Sequence, residues 1–353
     1  MSNMGVCRWY WRSVGLVIGT VLVGCSLPSG EPGGPTTGRD SEIRLAFVTN
    51  GVASFWNVAA AGVKAGEEEF GVRCDTLMPQ GNADQKRMIE DLVARGVHGI
   101  AVSPIDADNQ TQVLNEAAQH TVLITQDCDA PDSDRLCYIG MDNYMAGRMA
   151  GELVKEALPE GGNLMIFVGR LEQVNARLRR QGVIDELMDR SVDRTRYDPP
   201  GETIRGEKYV ILDTRTDGFD PGKAKAQAED AIARYPDLDA MVGLFAYNPP
   251  LCLAAVEEAG KLDRIRVIGF DEEEGTLQGI LDGKIHGTVV QNPFEYGRRS
   301  VEVLKALVEG DFSVIPEDAF IDIPAQQIRR DNVQEFWDDL RAKIAASTAA
   351  GAP

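Results

Sequence analysis

The sequence predicts an α/β protein built from two doubly wound lobes, each with a parallel sheet at its centre. From Ile43 onward, short apolar segments alternate with amphipathic segments of helical period, which is the order of βαβ units. The alternation pauses at residues 159–162 and then begins again, so that two units of domain size follow one another. A chain of 353 residues is long enough for both units.

The first strand–helix unit, residues 43–71, leads into the rest of the chain. An apolar strand at 43–48 is followed by a polar turn containing Asn50, by the adjacent rings of Phe55 and Trp56, and by a helix. In an open parallel sheet such a loop lies at the carboxyl end of its strand, where ligands bind. Phe55 and Trp56 are therefore expected at the mouth of a cleft, and the alternative is that both rings fill core space.

The remaining elements follow in the same alternating order. In the first unit we expect strands at 72–78, 99–103, 122–125 and 138–140, with helices at 84–95, 108–119 and 144–157. In the second unit we expect strands at 164–168, 209–213, 240–245, 266–270 and 285–291, with helices at 175–190, 223–234, 250–259 and 274–281. A helix at 296–308, a strand at 320–323 and a terminal helix at 331–345 complete the chain.

The charge balance argues against one class of partner. The chain carries 36 Lys and Arg against 55 Asp and Glu, a net charge of -19. A surface this acidic repels phosphate backbones, so nucleic acid is not an expected partner. With 43% hydrophobic and 26% charged residues, the composition is typical of a soluble globular protein.

The N-terminus predicts export. Arg8 and Arg12 precede a short apolar run, too short for a lasting membrane span, that ends in Leu22-Val23-Gly24-Cys25. These four residues resemble the bacterial lipobox, which implies that residues 1–24 are a signal peptide and that Cys25 is lipidated. The alternative is a chance cysteine behind an ordinary signal peptide. Residues 25–42, rich in Gly, Pro, Ser and Thr, are typical of a flexible tether, so a periplasmic or cell-surface lipoprotein is expected.

The cysteines and histidines do not predict a metal site. Beyond Cys25 the cysteines are Cys74, Cys128, Cys137 and Cys252, with no Cys-x-x-Cys pair, and His98, His120 and His286 are scattered. No metal or cofactor is expected. In an exported protein Cys128 and Cys137 are close enough in sequence for a disulfide, and two unpaired thiols are the equal alternative.

Several polar side chains fall at the carboxyl ends of predicted strands, namely Asn50, Ser103, Asp127, Asn248, Asp271 and Gln291. Each alone fits a cap or turn residue. Together they offer the planar carboxylates and amides that pair with sugar hydroxyls, beside rings that stack on the C–H face. A basic cluster at 175–182 opens the first helix of the second unit, and a solvated face is the alternative explanation for Arg177 and Arg180.

An ordered set of motifs then resembles the periplasmic sugar-binding proteins of the ribose-binding type. It comprises Phe55-Trp56, residues 85–99, Ser103-Pro104, residues 138–143, residues 175–182, Tyr235-Pro236-Asp237, Gly269-Phe270-Asp271 and Gln291-Asn292-Pro293. The resemblance covers nearly all of 43–323. It implies a type I periplasmic binding protein fold, a monomer that closes on one monosaccharide (a pentose, a hexose or a related polyol) and delivers it to the permease subunits of an ABC importer.

The resemblance also implies roles and boundaries. Phe55 and Trp56 resemble the stacking rings, with Phe219 a less firmly aligned ring of the second lobe; Asp127 and Asp271 resemble hydroxyl acceptors, Arg179 the cationic donor, and Asn50, Asn175, Asn248 and Gln291 further polar contacts. Hinge crossings near Gly140, Gln291 and Ile323 divide the chain into an N-terminal lobe of 43–140 plus 292–322 and a C-terminal lobe of 141–291 plus 323–330. Residues 331–353 form a C-terminal helix and tail.

The chain departs from the ribose-type pattern at two positions of the expected site. Cys128 and Asp129 follow Asp127 where the family has an arginine, and Pro249 and Pro250 follow Asn248 where an acidic residue is usual. The identity of the sugar is therefore left open.

Three other functions were compared with this interpretation. Sugar-responsive repressors of the same fold carry a helix-turn-helix where this chain has a signal and a tether. A receptor subunit that presents its ligand to a membrane sensor or chemoreceptor is the alternative that the sequence leaves open. An enzyme is not expected, because the chain lacks a Gly-x-Ser-x-Gly elbow, a P-loop and a Gly-x-Gly-x-x-Gly motif.

Overall fold

The computed structural model describes residues 42–350, without the side chains of residues 54 and 346–350. The predicted signal peptide, Cys25 and the tether up to residue 41 lie outside the described residues. Within the described part, no helix has both the length and the apolar character needed to cross a membrane.

The first part of the described chain alternates strands and helices. Its elements are β1 (Arg44–Val48), α1 (Ser54–Phe70), β2 (Arg73–Leu77), α2 (Asn82–Ala94), β3 (Gly99–Val102), α3 (Ala107–Ala118), β4 (Val122–Gln126) and β5 (Tyr138–Gly140). Residues 45–48 of β1 and the whole of β3 are buried, because helices cover both faces of a parallel sheet.

The middle of the chain repeats the pattern. Its elements are α4 (Asn143–Ala157), β6 (Gly162–Val168), α5 (Val174–Leu187), β7 (Ile204–Arg205), β8 (Tyr209–Thr216), α6 (Pro221–Arg234), β9 (Leu238–Gly243), α7 (Asn248–Glu258), β10 (Arg266–Phe270), α8 (Glu274–Leu281) and β11 (Gly287–Val290). The last part contains α9 (Pro293–Val308), a 3-10 turn at Phe312–Val314, β12 (Phe320–Asp322), β13 (Gln326–Ile328) and α10 (Val333–Ala350).

The strands of the described residues form two sheets. The first sheet has the order β12-β5-β4-β3-β1-β2, with every pair parallel. The second has the order β13-β11-β10-β9-β6-β8-β7 and is parallel except at its two edges, where β7 and β13 run antiparallel to their neighbours. In each sheet the strand order reverses once, between β1 and β3 and between β6 and β9. The predicted fold class, two doubly wound parallel-sheet lobes, is confirmed.

Helices pack on both faces of each sheet. In the first sheet, α1 and α9 cover one face and α2 and α3 the other; in the second, α4 and α5 lie opposite α6 and α7. The chain passes between the sheets three times, after β5, after β11 and after β12. Two of these crossings are hydrogen-bonded to each other, because the backbone N of Ile323 donates to the carbonyl of Gly140 at 2.7 Å.

The start of α7 differs from the prediction. The helix begins at Asn248 and not at Pro250. Proline lacks a backbone N–H and has a fixed φ, so Pro249 and Pro250 fit the first turn of a helix, where the N–H groups have no intrahelical partner. This shift takes Asn248 out of the loop after β9 and places it in a helix.

Candidate functional site

A cavity of about 450 Å³ lies between the carboxyl ends of the two sheets. We call it the central cavity, and both reversal points of strand order open onto it, which is where open α/β sheets bind ligands. Nine of the ten residues predicted as ligand contacts line it: Asn50, Phe55, Trp56, Asp127, Asn175, Arg179, Phe219, Asp271 and Gln291.

From the first sheet, Asp127 follows the last residue of β4. Its backbone adopts a φ of 60°, its N–H donates to Ile139 O at 3.0 Å, and its carbonyl accepts from the Tyr138 hydroxyl at 2.8 Å. The carboxylate accepts at Oδ2 from Ser103 Oγ (2.9 Å) and from Asn50 Nδ2 (3.3 Å). Among the described residues no hydrogen bond is made to Oδ1, which leaves one acceptor oxygen for a ligand.

The second sheet contains the same arrangement at Asp271, which follows the last residue of β10. Its φ is 66°, its N–H donates to Val289 O at 2.8 Å, and its carbonyl accepts from Thr288 Oγ1 at 2.9 Å. The carboxylate accepts from Gln291 Nε2 at 2.7 Å, and Gln291 Oε1 in turn accepts from the Tyr296 hydroxyl at 3.2 Å. Each lobe thus contributes one buried carboxylate to the cavity.

Burial perturbs the titration of both carboxylates. Desolvation raises the pKa of Asp127 to about 6, against the opposing charge of Arg179 and the hydrogen bond from Ser103. Desolvation likewise raises the pKa of Asp271, with Arg179 and Gln291 acting in the opposite direction. A ligand that donates hydrogen bonds to these oxygens would favour their ionised forms.

Arg179 supplies the cation, and its side chain is only 1% exposed. Its Nε donates to Asn143 Oδ1 at 2.9 Å and its Nη1 to Leu244 O at 3.2 Å, while Nη1 lies 3.9 Å from the carboxylate of Asp271. The guanidinium also stacks over the Phe270 ring at 4.2 Å. Nη2 has no hydrogen-bond partner among the described residues, so a fixed donor remains to be satisfied.

The two adjacent rings of the first unit, Phe55 and Trp56, are buried to different extents. Trp56 is 3% exposed, packs in the core beside Phe47, and donates from Nε1 to Asn50 Oδ1 at 3.1 Å. Phe55 is half-buried and meets Trp56 edge to face at 4.8 Å. Both expectations for this pair therefore hold in part, because Trp56 belongs to the core and also forms a wall of the cavity.

Phe219 approaches the cavity from the second lobe. It is 39% exposed, with a φ of 67°, and its backbone N–H donates to Asp217 Oδ1 at 2.8 Å. Its ring lies edge-on to Phe245 and within 5.5 Å of the Arg170 guanidinium. Asn175, the second residue of α5, is 5% exposed and also lines the cavity.

Asn248 is the predicted contact that does not line the central cavity. Its Oδ1 accepts from Phe245 N at 3.2 Å and its Nδ2 donates to Asp217 Oδ2 at 2.9 Å. It is buried inside the first turn of α7, so it holds the loop after β9 and the aspartate that supports Phe219. Its polar groups are used up by the protein itself.

Arg180 also differs from the expectation of a solvated face. It is 1% exposed, and its guanidinium donates to Thr214 Oγ1 at 2.8 Å and to the carbonyl of Asp198 at 2.6 Å. Arg177 is half-buried and donates to the carbonyl of Glu172 at 3.0 Å. Arg179 is thus flanked by one buried structural arginine and one partly exposed arginine.

The disulfide between Cys128 and Cys137 is absent, and both are buried free thiols. Cys137 packs in the core between the first sheet and α9, whereas Cys128 lies outside that core, next to Asp127. The two thiols therefore lie in different environments. Burial raises the pKa of Cys128 to about 12 and that of Cys137 to about 11, so both stay protonated.

Sequence reasoning missed several residues of the cavity wall. Arg170 and Gln173 follow β6, and Phe245 and Tyr247 follow β9, on either side of the reversal point of the second sheet. The signal was present, because both strands were predicted and their carboxyl ends define the cleft. Within residues 42–350, no cluster of three or more His, Cys, Asp or Glu side chains is arranged to hold a metal ion.

Comparison with known proteins identifies the class. Residues 45–311 match the periplasmic binding protein domain family, and the chain belongs to that family. It is therefore a binding protein and not an enzyme.

The individual relatives share about a quarter of their aligned residues with this chain. The ribose import binding protein RbsB of Salmonella typhimurium is 26% identical over 255 residues, covering 71% of this chain and 79% of the relative. The D-ribose/D-allose-binding protein of Pseudomonas aeruginosa is 24% identical over 332 residues, covering 89% and 97%. Among solved structures, an ABC transporter solute binding protein from Burkholderia graminis in complex with D-arabinose superposes with a TM-score of 0.74 at 26% identity, over 83% of this chain and 98% of that one.

Proposed function

We propose that this protein binds a monosaccharide in the central cavity and delivers it to the permease subunits of an ABC importer. The observation that carries the proposal is the convergence on one cavity of two buried carboxylates, Asp127 and Asp271, with the unpaired Nη2 of Arg179. The relatives named for ribose and allose, together with the similar structure solved in complex with D-arabinose, support a pentose, a hexose or a related polyol as the ligand.

The chemistry of the wall suits a neutral polyol. Each sugar hydroxyl donates one hydrogen bond and accepts others, so it needs acceptor-only and donor-only partners side by side. Asp127 Oδ1 is such an acceptor and Arg179 Nη2 such a donor. Phe55 and Phe219 add apolar surface from opposite lobes, against which the C–H face of a sugar ring packs.

The proposed lobes are 43–140 plus 292–322 and 141–291 plus 323–330, joined by hinge crossings near Gly140, Gln291 and Ile323. Contacts from both lobes give a ligand higher affinity for the closed arrangement than for the open one, which is the condition for ligand-driven closure. Closure would also remove the sugar from water, and a permease would then read the closed form.

A thermal-shift screen against pentoses, hexoses and polyols tests the proposal. A ligand at 100 times its dissociation constant stabilises the folded state by about 2.7 kcal/mol. The cognate sugar should raise the midpoint of the wild type and of Asp132→Asn, an exposed loop position, and should have little effect on Asp271→Asn. A sugar panel that shifts none of the proteins, or a sugar recovered as an altered product, would contradict it.

We also infer that Cys25, outside the described residues, anchors the protein to a membrane as a periplasmic or cell-surface lipoprotein. The support is the sequence Leu22-Val23-Gly24-Cys25 with the tether behind it. In a detergent phase separation the wild type should enter the detergent phase and Cys25→Ser the aqueous phase. Partition of both into the aqueous phase would rule out the anchor.

A further inference from the structure

A second cavity of about 620 Å³ adjoins the central cavity. We call it the outer cavity, and its walls come from both lobes, with Asp106 and Ala107 at the start of α3 on one side and Thr216 and Lys223 on the other. The two cavities share the side chains of Ile105, Arg170 and Gln173. The outer cavity is therefore a continuation of the cleft, and it is the larger of the two.

Cys128 marks the boundary between the cavities. Asp127 lines the central cavity and Cys128 the outer one, so consecutive residues face adjoining spaces. The thiol is short, and its high pKa keeps it neutral, so neither bulk nor charge closes the outer cavity beside the carboxylate. A substituent on a sugar held by Asp127 has room to extend past this residue.

The polar groups of the outer cavity favour a neutral, hydroxyl-bearing occupant. Its two cations, Arg170 and Lys223, are matched by the carboxylates of Asp106 and Glu172, so there is no net charge to hold a phosphate or a carboxylate. Gln173 Oε1 is a buried acceptor without a hydrogen-bond donor among the described residues. A hydroxyl group provides a donor for it, and a phosphate dianion does not.

We propose that the cleft holds a disaccharide more tightly than a monosaccharide, with one sugar residue in the central cavity and the second in the outer cavity. This inference rests on the proposed function, because it requires that the central cavity binds a sugar ring. It assigns to the outer cavity the hydroxyl-bearing second residue, whose contacts are Gln173 and the surrounding polar wall.

Calorimetric titration of the full chain tests the proposal with matched pairs: D-glucose with maltose and cellobiose, D-galactose with lactose, D-xylose with xylobiose, and the sugar phosphates of each. One disaccharide should bind at least tenfold more tightly than its own monosaccharide and than the phosphate. A monosaccharide or a sugar phosphate that binds as tightly as every disaccharide would overturn the proposal and leave the proposed function standing. If no sugar of any kind binds, both fail.

A variant locates the second residue. Ala107→Phe should fill the outer cavity, reduce the affinity for the disaccharide at least tenfold and change that for the monosaccharide less than threefold. Gln112→Phe is the control, since it adds the same ring to an exposed face of α3. If melting shows that Ala107→Phe is unfolded, Thr216→Phe fills the cavity from the other lobe. Unchanged disaccharide affinity in a folded variant would overturn the assignment.

Discussion

At the scale of single residues, Asp127 and Asp271 have the same backbone conformation and the same pattern of backbone hydrogen bonds in the two lobes. Each carboxylate follows a strand, sits in the left-handed region and fixes its backbone to the neighbouring strand through its N–H and its carbonyl. A non-glycine residue in that region costs of the order of 1–3 kcal/mol, and aspartate is one of the few side chains that adopts it readily. The backbone bonds that hold this conformation therefore fix the two carboxylates, at matching positions in the two lobes, before a ligand binds.

Arg179→Ala is expected to weaken sugar binding roughly 10- to 150-fold, because a hydrogen bond to a charged group is worth about 1.5–3 kcal/mol. Arg177→Ala is the control, since that side chain is partly exposed and bonds to backbone carbonyls outside the central cavity. Arg180→Ala does not serve as a control, because it removes a buried structural guanidinium. Titration of the folded variants decides the matter, and a loss of affinity in Arg177→Ala alone would show that the site is misplaced.

Sugar affinity should rise with pH through about pH 6. The pKa of Asp127 is about 6 in the ligand-free protein, and a hydroxyl that donates to Oδ1 favours the ionised form. At pH 5 most of the protein carries a proton there that binding must displace, so the affinity should be about tenfold lower than at pH 7. Titration in buffers of different ionisation enthalpy should also detect proton release near pH 6.

The stability of the ligand-free protein should change in the opposite sense. The folded pKa of about 6 exceeds the ordinary aspartate value of 3.8, so the folded state binds more protons than the unfolded state between those values. The free energy of unfolding should therefore gain from Asp127 as the pH falls from 6 towards 4. Asp127→Asn should lose both effects, and a pH dependence unchanged in that variant would assign it to another group.

Most of the site was predictable because its residues stand at the ends of recognisable strands. Asp127, Asp271 and Gln291 needed only the strand pattern and the rule that carboxyl ends meet at a cleft. Asn248 was misplaced because the two prolines after it start a helix, and its own amide then serves the protein. The free state of Cys128 and Cys137 depends on which way each thiol points, and sequence spacing does not contain that information.

At the scale of elements, the helices around the central cavity share an unusual feature at their N-termini. The positions that begin α1, α2, α5 and α7 make no side-chain cap, and each lines the cavity: Ala53, Gly81, Gln173 and Tyr247. By contrast α3, α4, α6 and α9 are capped by Asp106, Asp142, Asp220 and Asn292. The first turns of α1, α2 and α5 bring backbone N–H groups to the cavity wall, whereas that of α7 has none to offer, because Asn248 N–H donates to Phe245 O and Pro249 and Pro250 carry no N–H.

Helix pairs held at glycines fix these elements. A Cβ on Gly147 of α4 would lie 2.1 Å from the carbonyl oxygen of Arg179, and one on Gly297 of α9 would lie 2.1 Å from that of Ala59. Neither backbone can yield without moving its helix. The contact at Gly147 is made with the backbone of Arg179, the residue that supplies the cation of the site.

Gly147→Ala is therefore expected to destabilise the fold by about 1–3 kcal/mol and to weaken sugar binding as well, because it pushes α5 and Arg179 away from α4. Gly297→Ala should cost similar stability, since its clash is equally close, but it acts in the other lobe and should leave the donor in place. Chemical denaturation and titration measure the two effects. Equal sugar affinities in the two variants would show that the contact at Gly147 does not determine the position of Arg179.

The fold itself was predictable except at its edges. Beyond their first one or two residues, the strands β1, β3, β6 and β10 are continuous apolar runs, as expected of strands buried on both faces. The edge strands β7 and β13 have two and three residues, too few for a periodic pattern, and only pairing with β8 and β11 defines them.

At the scale of the whole molecule, the described chain consists of two sheets whose connections run through three crossings beside one cavity. Asp127 follows a strand of the first sheet and Asp271 a strand of the second, while Arg179 lies on α5, a helix that packs on the second sheet. A sugar bonded to Asp127 and to Arg179 would therefore link the lobes. The three crossings are the proposed hinge about which such a link would pull the lobes together.

The cognate sugar should accordingly reduce the radius of gyration measured by small-angle scattering. A ligand shifts this equilibrium only by its differential affinity, so the reduction should disappear in Asp127→Asn at a sugar concentration that saturates the wild type but not the variant, and return at higher concentration. Asp132→Asn, on an exposed loop, should behave as the wild type. A radius that stays constant while calorimetry shows full occupancy would mean that the sugar enters a site already closed, and that the crossings act as rigid struts and not as hinges.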